Sequence, residues 1–208
     1  MQNVSGHVKI KLCGLTRQED IECANLLRPE MAGFVFAEKS RRYLPPRRAA
    51  ELRRLLAPGI LAAGVFVNED PVRIRETAAA AGLDIIQLHG SETEEDVLEV
   101  KRLTGLTVVK AFSVSAREDL RAAFRSPADF VLLDNGAGGT GEQFDWSLLE
   151  GFGRPYFLAG GLDAENVGSA VRRLSPYAVD VSSALETDGK KDPGKMKAFV
   201  EAVRSALD

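Results

Sequence analysis

Cysteine, histidine and tryptophan are scarce in this chain: two, two and one among 208 residues. Cys13 and Cys23 are ten apart with no C-x-x-C pattern, which excludes a disulfide framework and a structural zinc site, so both thiols are expected to be free. His7 and His89 are too few for a histidine-rich metal centre, and no metal is expected. No run approaches the ~20 apolar residues of a membrane span. The first dozen residues lack a signal peptide's apolar stretch and cleavage site, so the expected location is the cytoplasm, away from membranes. A dominant charge sign is missing too. With 27 basic residues against 30 acidic ones, net −3 and no long cationic stripe, nucleic acid is not an expected partner.

What is present is an unbroken alternation. Short runs rich in Val, Ile, Leu and Phe, at 8–13, 32–36, 61–67, 84–88, 107–112, 130–134, 156–158 and 177–181, read as eight strands. Segments with helical apolar spacing follow them at 17–27, 46–56, 71–81, 92–103, 116–124, near Trp146, 164–174 and 193–207. Helix starts are signalled by Thr16 with Glu19 as a capping box, Asp70 before Pro71, Asp163 before Ala164, and Asp192 before Pro193. Gly82 and Gly105 fall just past amphipathic runs, where a left-handed residue ends a helix. Continuous apolar strands point to a parallel sheet covered by helices. The expected fold is therefore α/β, a single (β/α)8 TIM barrel with eight parallel strands and minimal loops spanning residues 1–208. A doubly wound open sheet is the alternative, but it would have fewer strands, and G-x-G-x-x-G is absent after the first one.

In such a barrel the chemistry gathers at the carboxyl ends of the strands. Strand period two puts Lys11 on the same inward face as Cys13, with Ile10 and Leu12 facing the helices. A buried lysine needs a partner, and strand eight, beside strand one, offers Asp180. The Lys11 ammonium is expected to lower the Cys13 thiol pKa into a general-base range; an isolated cysteine at a strand end would read as a small inert hydrophobe. Asp134 ends the apolar run 130–133, where burial raises a carboxyl pKa and suits a general acid; its bland reading is a turn cap. Gly160 and Gly161 after strand seven, with Ser182 and Ser183 after strand eight, fit backbone N–H groups turned to a phosphate. Arg42 could grip a carboxylate bidentately, although an Arg-Arg pair on a loop is often merely solvated. His89 reads as a substrate contact or a satisfied core group, Cys23 as structural, and Gly138–Gly141 as either a lid or a plain loop.

Taken in order, Lys11-Leu12-Cys13-Gly14, Ser40-Arg41-Arg42-Tyr43, Gln87-Leu88-His89-Gly90, Leu132-Leu133-Asp134, Ala159-Gly160-Gly161 and Asp180-Val181-Ser182-Ser183 resemble the phosphoribosylanthranilate isomerases of tryptophan biosynthesis. So do Phe144-Asp145-Trp146 and Gly189-Lys190-Lys191-Asp192, and the likeness covers almost the whole chain. It implies an Amadori rearrangement of N-(5-phosphoribosyl)anthranilate without metal or organic cofactor, with a small phosphosugar-anthranilate as substrate; a barrel of this size is expected as a monomer or homodimer. In the family's pattern the general base matches Cys13, the general acid matches Asp134, Arg42 meets the anthranilate carboxylate, and the loops after strands seven and eight grip the phosphate. Ala184 stands where the family usually has glycine, which is expected to make the phosphate loop slightly less free.

The rivals are another phosphosugar enzyme of the same architecture, for which Lys110 is the sole candidate lysine acid, and a noncatalytic phosphate-ligand sensor. The sensor would have been marked by loss of Cys13 or Asp134, and both are present.

Overall fold

Each apolar run read as a strand forms one, in sequence order. The computed structural model describes residues 8–134 and 145–207, so the glycines at 138–141 lie outside the described residues. The strands are β1 (Lys9–Cys13), β2 (Met31–Val35), β3 (Leu61–Phe66), β4 (Ile85–Leu88), β5 (Thr107–Ser113), β6 (Phe130–Asp134), β7 (Tyr156–Leu158) and β8 (Ala178–Val181). Each pairs in parallel with the next, and β8 pairs with β1, closing the sheet into a barrel. The open sheet is thereby excluded. Helices α1 (Gln18–Leu27), α2 (Pro46–Leu55), α3 (Pro71–Ala81), α4 (Glu94–Thr104), α5 (Leu120–Arg125), α6 (Val167–Leu174) and α7 (Pro193–Ser205) run between and after the strands. Among the described residues no helix is long and apolar enough to cross a membrane.

Strand alternation sorts the side chains into separate cores. Ile10, Leu12, Val131, Leu133, Val179 and Val181 face outward and pack with Ile21, Ile74, Val97 and Phe199 from the helices. Met31, Ile85, Val109, Leu132 and Phe157 fill the barrel interior. Nearer the carboxyl ends of the strands the filling is smaller, with Cys13, Val35 and Val65 together. That change in side-chain size leaves the inner positions at the mouth to polar groups.

Two helix starts follow the sequence signals, at Asp70 and Asp192, and a third cap at Thr93 is added by the structure. Asp70 accepts from the backbone N–H of Val72 and Arg73, Thr93 and Asp96 form a reciprocal box, and Asp192 accepts from Gly194 and Lys195. Gly82 and Gly105 end α3 and α4 at φ 68° and 64°. Other signals resolve differently. The box at α1 is one residue later than Thr16 and Glu19: Asp20 accepts from the backbones of Thr16 and Arg17 and from the Arg17 side chain, so Arg17 is the cap. Asp163 closes a local turn by accepting from Glu165 and Asn166, which delays α6 to Val167. The segment at 116–124 begins as a 3-10 turn, Arg117–Asp119, before α5, and Trp146–Leu149 is 3-10 rather than α-helical.

One element has no counterpart among the sequence expectations. After β8 and a 3-10 turn at Ser183–Leu185, a hairpin forms from β9 (Glu186–Thr187) and β10 (Lys190–Lys191), antiparallel, with Lys191 opposite Glu186. Its turn residues Asp188 and Gly189 have φ 51° and 74°, the left-handed pair that a tight two-residue hairpin requires.

Candidate active site at the barrel mouth

Parity and register bring the charged inner residues together. Lys11 lies opposite Asp180 in the β1–β8 pairing, and its ammonium donates to both carboxylate oxygens at 2.9 Å. Lys11 is 1% exposed, so this pairing offsets the cost of placing an ammonium inside the barrel. Two residues further along β1, on its other side, Cys13 lies opposite Gly33 of β2. A Cβ on Gly33 would come within 2.8 Å of the Cys13 sulfur, so the missing side chain gives the thiol its room.

The electrostatics of Cys13 correct the sequence expectation. Burial pushes the thiol pKa up, the Lys11 ammonium pulls it down, and the Asp180 carboxylate pushes it up again, with a net upward direction. The ammonium behind the thiol is present as inferred, but Asp180 blunts its field and desolvation outweighs what is left. Lys11 therefore limits the rise rather than producing an acidic thiol. Replacing Lys11 by Met, in a Cys23→Ala background so that a single thiol is read, is expected to move the alkylation midpoint of Cys13 to still higher pH. An unchanged midpoint contradicts the contact.

Asp134 ends β6 opposite Ser113 of β5, at an inward position shared with Phe130 and Leu132. His89, just past β4, brings its Nε2 to 3.8 Å from an Asp134 carboxylate oxygen. Its Nδ1 meets the Gln87 side-chain amide nitrogen at 3.0 Å. Gln87 is buried, and with the amide as donor the imidazole proton sits on Nε2, toward Asp134. Desolvation at the mouth lowers the His89 pKa against the opposing pull of Asp134, which favours the neutral ring near pH 7.

Lys110 does not reach this mouth. Its neighbours in parity, Val108 and Phe112, belong to the outer layer. Its ammonium donates to the Gly90 and Ala111 carbonyls and pairs with Glu92 at 3.0 Å. Glu92 also accepts from the backbones of Asn68 and Gly90, so the pair braces the loop that carries His89. The candidate lysine acid of a rival phosphosugar enzyme is thus a strut.

Arg42 lies on the connection from β2 to α2, partly buried and held by a carboxylate rather than merely solvated. Its Nε and Nη2 donate to the two oxygens of Glu186 at 2.5 and 3.0 Å. Arg41 donates to the same carboxylate at 2.6 Å and Lys191 at 2.8 Å. Burial works against the Glu186 charge, but Arg42 and Lys191 hold its pKa below the ordinary range. Lys191 also donates to the Ser182 carbonyl, and the Ser182 hydroxyl donates to the Cys13 carbonyl at 3.0 Å. Ser182 is therefore occupied as a tie between β8 and β1, while Ser183 is exposed.

Gly160 and Gly161, with φ 86° and 66°, turn the chain out of β7 in a conformation open to glycine. Ala184 lies in the 3-10 turn and has no left-handed φ, so alanine stands there without backbone strain. Glu186, with the hairpin that carries it, escaped sequence reasoning. Asp188-Gly189 was the available signal for the hairpin, and the adjacent arginines the signal that a carboxylate was near. Among the described residues no group of three or more His, Cys, Asp or Glu side chains is placed to hold a metal ion.

Comparison with known proteins points in one direction. The sequence profile described as N-(5'phosphoribosyl)anthranilate (PRA) isomerase matches residues 10–202. The N-(5'-phosphoribosyl)anthranilate isomerase of Caldanaerobacter subterraneus subsp. tengcongensis is 44% identical over 206 residues, covering 96% of this chain and all of that one. Phosphoribosyl anthranilate isomerase from Thermotoga maritima superposes with a TM-score of 0.89 at 38% identity, covering 95% of this chain and 99% of its own. A phosphoribosyl anthranilate isomerase in complex with reduced 1-(o-carboxyphenylamino)-1-deoxyribulose 5-phosphate has a TM-score of 0.86 at 37% identity, with the same coverage.

Proposed function

Because the chain belongs to the phosphoribosylanthranilate isomerase family and is an isomerase of tryptophan biosynthesis, we propose how its own residues divide that reaction. The observation that carries the division is topological. Cys13 and Asp134 both end strands at inward positions, on β1 and β6, which are separated by two strands one way round the closed barrel and four the other. Groups so placed flank a small substrate rather than share one side of it.

Asp134 protonates the furanose ring oxygen as the C1–O bond breaks, and the anthranilate nitrogen supplies the electron pair that leaves a Schiff base. The Cys13 thiolate then takes the proton from C2, and the C–H electrons flow into the imine to give an enolamine. Protonation at C1 and loss of the C2 hydroxyl proton yield the ketone, so the sum is an isomerisation. Lys11 and Asp180 lie beneath the base and hold its surroundings. His89, whose Nε2 lies 3.8 Å from the Asp134 carboxylate, contacts the substrate beside the acid. Backbone groups at Gly160, Gly161, Ser182 and Ser183 meet the phosphate, and Arg42 meets the anthranilate carboxylate.

The Arg42 assignment has a direct test in solution. Arg42→Ala is expected to raise KM for the substrate about tenfold or more, the scale of a lost hydrogen bond to a charged group, while affinity for a bare phosphosugar stays near wild type. Equal losses for both ligands contradict the assignment.

A further inference from the structure

The cluster at Glu186 has an unusual balance for a site that takes up anions. Three cations, Arg41, Arg42 and Lys191, converge on one carboxylate whose side chain is 5% exposed. If Glu186 served only to neutralise Arg42, it would compete with any incoming carboxylate. The geometry points elsewhere. Glu186 takes the side-on edge of the Arg42 guanidinium, Nε and Nη2, and among the described residues leaves the end-on edge, Nη1 with the second N–H of Nη2, as a parallel pair of donors. The Arg42 stem is fixed as well, because a Cβ on Gly14 would collide with Arg42 Cδ, which places the stem directly over the end of β1. From Glu186 the contacts continue through Lys191 and Ser182 to the Cys13 carbonyl. Among the described residues the three cations face this one carboxylate, a formal excess of positive charge, so a second carboxylate meets attraction rather than the repulsion of Glu186 alone.

We propose that Glu186 is a positioning residue that clamps Arg42 by its side-on edge and presents the end-on edge to the ring carboxylate of the substrate, setting the selectivity for a carboxylated over an uncarboxylated arylamine. This rests on the assignment of the carboxylate to Arg42 given above. The hairpin of β9 and β10 is then a built part of the specificity site, because Lys191 holds Glu186 from the opposite strand.

The test compares the binding of two ligands, reduced 1-(o-carboxyphenylamino)-1-deoxyribulose 5-phosphate and its phenylamino counterpart without the carboxylate. Wild type is expected to prefer the first. Glu186→Gln is expected to lose about tenfold of that preference, with the phenylamino ligand bound nearly as before, and Glu186→Asp to recover part of it. Arg42→Ala is expected to abolish the preference. If Glu186→Gln keeps or increases the preference while Arg42→Ala loses it, the clamp is wrong and the Arg42 assignment stands. If Arg42→Ala leaves the preference intact, the assignment itself fails and takes the clamp with it. Should Glu186→Gln not fold by circular dichroism, Glu186→Asp decides, and a preference equal to wild type in that variant overturns the proposal.

Discussion

Cys13→Ser lowers kcat by about 10²-fold or more, the range expected for loss of a positioned general base. Serine fills the space beside Gly33, so the packing of the inner layer is preserved and the loss reports chemistry. A hydroxyl is a much weaker acid than a thiol, and the environment works against both anions. Burial and Asp180 raise the Cys13 pKa, and the Lys11 ammonium, with a smaller pull from Lys191, opposes them without reversing the rise. A group whose anion is already disfavoured cannot absorb several further units of intrinsic pKa and still remove a carbon-bound proton at a useful rate. KM is expected to change much less than kcat, because the phosphate and carboxylate contacts lie on other residues. A variant that keeps full turnover, followed by loss of the fluorescent anthranilate adduct, contradicts the role of base.

Asp134→Asn is expected to be at least as damaging. The amide keeps the shape at the end of β6 and the neighbourhood of His89, yet it has no proton to give to the ring oxygen. Without that proton the C1–O bond would break to leave an alkoxide, and His89, held neutral, is a poor substitute donor. The expected fall in kcat is again about 10²–10⁴-fold. Full turnover in this variant would contradict the role of acid.

The barrel was legible because its signal is carried by burial. Runs such as 130–133 are apolar on both faces, and only a parallel strand between an inner filling and a helix layer buries both. Parity places Lys11 and Cys13 inward, and the Lys11–Asp180 register is as inferred from the closure of strand eight on strand one. Side-chain pairing was less legible. The partner of Arg42 lies 144 positions away on a hairpin of two-residue strands, too short for any hydrophobic period to register. The direction of the Cys13 pKa was misjudged for a related reason. The cation was visible in sequence, but the depth of burial and the compensation of that cation by Asp180 are properties of the assembled barrel. Helix starts at Thr16 and Asp163 slipped because capping side chains also close local turns, and sequence does not say which they will do.

The division of labour between Cys13 and Asp134 is tested most directly by single-turnover rates with substrate carrying hydrogen or deuterium at C2. In Cys13→Ser, removal of the C2 proton should limit the reaction, and the deuterated substrate should turn over several times more slowly. In Asp134→Asn, ring opening should limit it, and the two substrates should react at the same rate. The reverse pattern, or equal isotope effects in both variants, would contradict the assignment of base to Cys13 and acid to Asp134.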